Sequence, residues 1–344
     1  MKRISILIAL ALMASAAPAQ ASVKFDGKDK GLSYPDVEIL IDEPETMIPG
    51  ARTEIILYAL PNGTLLDWTY GKKRQPGEDW HLDVHHIGAQ TAYLRTLDRK
   101  SNYVTVLLKT RQKAWNHWHR QHLDICKETY DKLFADVAAL YADYNPTLTI
   151  SSHSGGGYLI FNYFNVADSI NPAIKHLIFL DSIYGYDTET HLDKFVEWLR
   201  DESHSLSVIA YEDATVIFRG KPLVSKSGGG WGRSHQMVTD LGSFFKLKEK
   251  VKYVKDGGDR YPEIRDSARK FSDETDVSSN AMMEWYRGLG GRISFKLLRN
   301  PEGLIWHLVL VEKNGFIDSV LTGTSHEGRG YKFWGPRAYS DYIE

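Results

Sequence analysis

The chain has a single cysteine, Cys126, among its 344 residues. A disulfide within the chain and a cysteine-rich metal site are therefore both excluded. The chain also lacks an excess of either charge, because 42 Lys and Arg residues face 44 Asp and Glu residues, for a formal net charge of −2. Proteins that bind nucleic acid through its phosphates carry a basic excess. We therefore expect no nucleic-acid partner.

Long hydrophobic runs are absent except at the start, where residues 4–14 are apolar and follow two basic residues. This run is shorter than the roughly 20 residues that a membrane-spanning helix needs. Small residues follow at Ala19 and Ala21, the positions that a signal peptidase reads. The segment therefore predicts a cleaved signal peptide over residues 1–21 and no stable membrane anchor. We expect a secreted or periplasmic protein.

Apolar runs typical of strands alternate with amphipathic stretches typical of helices over most of the chain. This alternation predicts an α/β fold with a mostly parallel central sheet and helices on both faces. We predict an N-terminal extension at residues 22–52 and a first core segment at 53–213. The last strand, a histidine loop and a closing helix are predicted within residues 292–344. The intervening residues 214–291 are predicted to form a cap before the last strand, with a helix at 280–287.

The clearest chemical signal is a strand at Leu148–Ser151 that runs through Ser152-His153-Ser154-Gly155-Gly156 into an apolar helix. Such a turn exposes its central serine, and small residues are needed on either side because the chain closes tightly there. The first amides of the helix, that of Gly155 foremost, would face any negative charge developing beside Ser154.

At this turn the chain resembles the α/β-hydrolase superfamily, whose nucleophile elbow is G-x-S-x-G between a strand and a helix. The resemblance spans roughly residues 53–321, with Ser152 in place of the first glycine. It implies that Ser154 is a nucleophile and that an acid and a histidine follow it in the chain, each after a later strand. It also implies that no cofactor or metal is required.

Two aspartates are candidates for the acid. Asp181 directly follows the apolar strand Leu177–Leu180, and Asp213 ends the next strand, which is the commoner position for the acid in this family. We favour Asp181 because a carboxylate placed between an apolar strand and a turn is hard to explain as a solvated charge. Asp213 stays open as the alternative.

Among thirteen histidines, His307 is the favoured base because it follows the last strand and precedes the closing helix. His326, in the tail, is the second candidate and His235, in the insertion, the third. The turn at Asn62 and Gly63 ends the first apolar strand of the core and corresponds in place to the family's oxyanion loop. We therefore predict an oxyanion hole made by Gly155 together with Asn62 or Gly63.

Two groups of histidines are spaced so that some of their members share a helix face. Neither group has the H-E-x-x-H pattern, and no carboxylate partner is fixed by spacing, so we expect no metal. The two groups are His81, His85 and His86, and His117, His119 and His122.

The sequence thus predicts an exported serine hydrolase that cleaves a small-molecule ester through a Ser-His-Asp triad and a backbone oxyanion hole. Two alternatives stay open. The same residues would serve a peptidase or amidase acting on a peptide substrate. A hydrolase-like fold could also be used for binding without catalysis.

Overall fold

The computed structural model describes residues 21–225, 227–255, 280–329 and 337–344. The predicted signal peptide lies outside these residues except for its last position. The strands of the described part are β1 Ser22–Asp26, β2 Val37–Pro44, β3 Arg52–Ala59, β4 Ser101–Thr110, β5 Thr147–His153, β6 Ile174–Leu180, β7 Ser205–Tyr211, β8 Ile217–Phe218, β9 Lys221–Pro222, β10 Lys248–Lys255, β11 Asn280–Gly288 and β12 Ile293–Arg299.

The helices flank these strands and connect most of them. They are α1 Leu66–Tyr70, α2 Ile87–Leu97, α3 Trp115–Gln121, α4 Cys126–Ala139, α5 Gly157–Val166, α6 Thr188–Arg200, α7 Gly229–Gly242, α8 Val309–Glu312 and α9 Gly315–Val320.

Ten strands form one central sheet in the order β1-β2-β4-β3-β5-β6-β7-β12-β11-β10. The strands from β4 through β12 in this order run parallel, and the outer strands on both sides pair antiparallel. The central strands are buried along almost their whole length, as in β4, where every residue is buried. Continuous apolar strands of this kind need cover on both faces. The predicted mostly parallel sheet is confirmed.

Two hydrophobic clusters cover the two faces of the sheet. Side chains of α3 to α7 pack on one face, and those of α2, α8 and α9 pack on the other. The predicted placement of helices on both faces is therefore confirmed. Because parallel strands end at a common edge, the loops after β3, β5, β6, β7 and β12 meet there. This edge is the carboxyl edge of the sheet.

The insertion before β12 differs from the prediction in one element. The helix predicted at residues 280–287 is wrong, because this segment is β11 and pairs antiparallel with β12 and β10. Hydrogen bonds to the strands on both sides outweigh the local helical pattern here. The described part of the insertion contains α7, the short β8–β9 hairpin and two strands of the central sheet, β10 and β11. The predicted boundaries of the cap stay predictions.

The closing helix is not continuous but divides into α8 and α9. Asn314 between them has a φ of 67°, in the left-handed region that interrupts a helix. Within residues 21–225, 227–255, 280–329 and 337–344, no helix is both long and apolar enough to cross a membrane.

Candidate active site

Ser154 lies at the carboxyl edge of the sheet, immediately after β5. Its φ is 54°, and residues 154–156 form a single 3₁₀ turn that continues into α5. A positive φ is a strained conformation for a serine, and such strain is concentrated at functional turns. The side chain of Ser154 is partly exposed, although its neighbours in the turn are buried. Ser154 is thus the accessible residue of an otherwise buried turn.

The small residues of the turn are required by close approaches of the main chain. A Cβ on Gly156 would overlap the carbonyl oxygen of Ala59 in β3, and a Cβ on Gly157 would overlap that of Ser182 after β6. Ser152 takes the place of the family's first glycine, and its Oγ lies 2.8 Å from Oγ of Ser182. The Ser152 hydroxyl thus forms a hydrogen bond between the end of β5 and the loop after β6.

Asn62 lies directly against the first turn of the helix that follows Ser154. A Cβ on Gly155 would overlap the amide group of Asn62, so the two residues are in contact. The first N–H groups of a helix have no intrahelical acceptor, which leaves the Gly155 N–H available to an anion. The Gly63 N–H differs, because it donates a hydrogen bond to the carbonyl of Lys113 at 2.8 Å. This bond removes Gly63 from the predicted donors.

Asp181 and His307 form a hydrogen-bonded pair at the same edge. Nδ1 of His307 donates to Oδ2 of Asp181 at 2.6 Å. Asp181 is fully buried and has a φ of 43°, and the Tyr184 hydroxyl donates to the same oxygen at 3.1 Å. When the ring is neutral, the proton on Nδ1 leaves Nε2 of His307 with the lone pair that a general base needs. The imidazole is partly exposed.

Asp213 lies near Asp181, and its carboxyl group accepts hydrogen bonds from the start of α7. The Gly230 N–H donates to Oδ2 of Asp213 at 2.6 Å, and the Trp231 N–H donates to its Oδ1 at 3.4 Å. A Cβ on Gly230 would in turn overlap Oδ1 of Asp181. Burial, and then the negative charge of Asp181, raise the pKa of Asp213 to about 7. Asp213 therefore caps the start of α7.

The loop that carries His307 is organised by Asn300, the residue that follows β12. Its Oδ1 accepts hydrogen bonds from the Leu304 N–H and from Nε1 of Trp306, both at 3.0 Å. Its Nδ2 donates to the carbonyls of Leu304 at 2.8 Å and Glu212 at 3.2 Å. Asn300 is fully buried, so the turn before His307 is built around one side chain.

The other two candidate bases lie elsewhere. Nε2 of His326 lies 3.7 Å from Oδ2 of Asp98. Asp98 accepts from Ser101 at the start of β4, so His326 is at the opposite edge of the sheet. Nε2 of His235, on α7, lies 2.8 Å from a carboxylate oxygen of Glu284 in β11.

The two histidine groups are distributed among separate contacts. The ring of His81 stacks on Trp68 and Trp80, Nδ1 of His122 donates to the Trp118 carbonyl, and His86 pairs with Asp83. His85 instead reaches His153. In the described ranges no three His, Cys, Asp or Glu side chains are arranged to hold a metal ion.

Three features of this edge were not predicted from the sequence. His153 contacts His307, Asn300 orders the histidine loop, and the glycine run at residues 228–230 opens α7 against two carboxylates. The sequence signals are the histidine inside the nucleophile turn, an asparagine directly after the last strand, and glycines where a helix begins. Each needs the neighbouring segment to be known before it can be interpreted.

The strand order and the turn after β5 give the chain an α/β-hydrolase fold. No family model matches the sequence, and no curated protein is similar to it in sequence. Solved structures similar to it include a feruloyl esterase module from Clostridium thermocellum, with 9% identity over 66% of this chain and 76% of that chain at a TM-score of 0.37. Others are an acetyl xylan esterase from Aspergillus awamori, with 7% identity over 82% and 94% at 0.35, and a dienelactone hydrolase from Anabaena variabilis, with 10% over 56% and 74% at 0.29.

Proposed function

We propose that the protein is an exported serine hydrolase that transfers an acyl group from an ester to water. The observation that carries this proposal is the 2.6 Å hydrogen bond between His307 and Asp181 at the sheet edge where the strained Ser154 turn lies. Export rests on the predicted signal peptide, which lies outside the described residues. Esters are the proposed substrates because they are the commonest substrates of the family that the sequence resembles.

In the proposed reaction, Oγ of Ser154 attacks the carbonyl carbon of the ester while Nε2 of His307 takes the hydroxyl proton. The tetrahedral intermediate then collapses, and the protonated His307 gives this proton to the departing alkoxide. The product alcohol leaves, and an acyl group remains on Ser154. Water repeats the sequence as the nucleophile, with His307 again as base and then as acid, and releases the carboxylic acid.

Asp181 has an orienting role in this scheme. Because its Oδ2 accepts from Nδ1 of His307, the ring is held in the tautomer with a bare Nε2. The buried carboxylate also stabilises the imidazolium that forms when His307 takes a proton. Both effects need the carboxylate to be ionised and close to the ring.

The negative oxygen of the intermediate would be held by the Gly155 N–H and by an amide group of Asn62. Gly155 and the side chain of Asn62 are in contact at the start of the helix that follows Ser154. Removing one such donor typically lowers the rate by ~10²–10³-fold. The dipole of α5 adds a favourable potential at the same place.

The test is covalent labelling of the purified protein with a fluorophosphonate, which phosphonylates activated serines. We expect labelling of the wild type and none of Ser154→Ala or His307→Ala. His326→Ala is the matched control, since this histidine lies at the opposite edge, and it should label at the wild-type rate. Labelling that persists in Ser154→Ala contradicts the nucleophile. Turnover of a p-nitrophenyl ester compared with the corresponding anilide then separates an esterase from an amidase.

A further inference from the structure

A pair of buried histidines lies behind His307 and takes no part in the proposed reaction. Nε2 of His153 is 3.1 Å from the main-chain oxygen of His307, and the two rings lie 4.5 Å apart. On its other side, Nδ1 of His153 is 3.2 Å from Nε2 of His85. His153 directly precedes Ser154, so this chain of contacts starts at the nucleophile turn.

The acceptors assign the protons of both rings. A carbonyl oxygen only accepts, so Nε2 of His153 must carry a hydrogen and donate it to His307. If the ring is neutral, its Nδ1 has a lone pair, which then accepts from an Nε2–H of His85. Nδ1 of His85 is left without a hydrogen, and it has no hydrogen-bond partner among the described residues.

Burial keeps both rings neutral. It lowers the pKa of His85 to about 3 and that of His153 well below its usual value. Positive charge on His307, when present, acts in the same direction on both rings. The direction of both hydrogen bonds therefore stays the same across the ordinary pH range.

A second link joins the segment of His85 to the histidine loop. Nε2 of Gln90, in the first turns of α2, donates to the carbonyl of His85 at 2.7 Å and to that of Val311 in α8 at 3.0 Å. Val311 lies four residues after His307. The start of α2 is thus tied both to the residue before Ser154 and to the helix that follows His307.

We propose that His153 and His85 are positioning residues that hold the main chain of His307 beside the nucleophile turn. This role rests on the proposed function. The side chain of His307 is held by Asp181 and its main chain by His153, so the ring is fixed from both sides. A base held at one point only would sample positions away from the serine hydroxyl.

The first test measures the rate constant of fluorophosphonate labelling. We expect His153→Leu to lower it by about 10²-fold, the cost of a displacement near 1 Å at a reacting group. His153→Gln keeps an N–H near the position of Nε2 and should recover most of the loss. His85→Leu should have a smaller effect, about tenfold, because His153 can still donate to His307.

The matched control is His176→Leu. His176 is also buried, and its Nε2 lies 2.8 Å from Oγ of Ser207, but it lies in the amino-terminal half of β6, away from the site. Its loss should lower the melting temperature without changing the labelling rate. An equal loss of labelling in His176→Leu would overturn the positioning role, since general destabilisation would then explain the effect.

The second test does not depend on activity. Long-range ¹H–¹⁵N spectra at pH 6, assigned with the same variants, should show His85 and His153 as neutral Nε2–H tautomers. A charged ring, or an Nδ1–H tautomer at His153, overturns the hydrogen-bonded pair. If the wild type is not labelled at all, the proposed function fails and the positioning role fails with it. If the wild type is labelled and His153→Leu reacts equally fast, only the positioning role fails.

Discussion

Nδ1 of His307 donates to Oδ2 of Asp181 across the end of β7, the strand that lies between β6 and β12 in the sheet. Asp213, which lies just beyond the end of β7, is not the hydrogen-bond partner of His307. Its carboxyl group instead accepts from the first amides of α7. The two buried aspartates therefore have different hydrogen-bond partners although they lie close together.

This difference gives a prediction about the acid. Asp181→Asn should lower the rate of acyl transfer by about 10⁴-fold, the loss seen when the orienting carboxylate of a Ser-His-Asp triad becomes an amide. The reason is that an amide NH₂ at this position favours the wrong tautomer of His307. Hydrolysis of a p-nitrophenyl ester measures the effect. Asp213→Asn keeps an oxygen for the Gly230 N–H and should retain most of the activity. The reverse ranking would make Asp213 the acid.

The raised pKa of Asp213 predicts a pH dependence of stability. The carboxyl group holds its proton in the folded protein up to a pKa of about 7, whereas the unfolded chain releases it near 3.8. The contribution of this group to the free energy of unfolding is therefore full below about pH 4 and is lost as the pH rises towards 7. The loss is on the order of 1.4 kcal/mol for each unit of pKa difference between the folded and unfolded states. Asp213→Asn cannot ionise and should escape this loss.

Urea unfolding of the wild type and of Asp213→Asn at pH 4.5 and pH 8 measures this effect. We expect the free energy of unfolding of the variant, relative to the wild type, to be higher at pH 8 than at pH 4.5. Any constant cost of the substitution cancels in this comparison. The same difference at both values would show that Asp213 is ionised throughout.

The tight nucleophile turn predicts an unequal response to two glycine substitutions. Gly156→Ala places a Cβ against the main-chain oxygens of Ala59 and Leu60, which cannot move aside as a side chain would. We expect a lower melting temperature and an activity loss of at least about 10²-fold, because Ser154 is displaced. Gly242→Ala at the end of α7 meets no atom within 4 Å and should be neutral or up to about 1 kcal/mol stabilising. Equal effects would contradict the close packing.

Substitution of Asn300 is expected to lower both the free energy of unfolding and the activity. Asn300→Ala leaves the Leu304 N–H and the Trp306 indole N–H without their acceptor, at about 1–3 kcal/mol for each buried group. The loop before His307 should loosen, so kcat should fall more than KM rises. Asn300→Asp keeps the accepting oxygen but turns a buried carboxylate oxygen towards the carbonyls of Leu304 and Glu212, so it should be no milder. As a control, Asn171→Ala removes one exposed bond to the Ala173 N–H and should cost less than about 1 kcal/mol.

The sheet could be predicted because its strands are short apolar runs separated by helices, a local pattern that needs no distant partner. The turn at Ser154 could be located for the same reason, since small residues between an apolar strand and an apolar helix are a local signal. The strand at residues 280–288 could not, because its hydrogen bonds go to strands on both sides of it.

The contacts of the site residues could be predicted from the sequence less well than the strands. The resemblance to α/β hydrolases supplied the order of serine, acid and histidine, but the choice between Asp181 and Asp213 depends on where α7 begins. Gly230 contacts both carboxyl groups, and nothing local to either aspartate indicates this. The contact between His153 and His307 likewise joins segments 154 positions apart in the chain.

The burial of Cys126 has a practical consequence. Its side chain is 1% exposed, and burial raises the pKa of its thiol, so little of the reactive thiolate forms. Since the chain has no other cysteine, the folded protein should react very little with thiol reagents. A cysteine introduced at the exposed Phe244, just beyond α7, would accept a fluorophore or spin label at one site. Movement of α7 during turnover could then be followed in an otherwise native molecule.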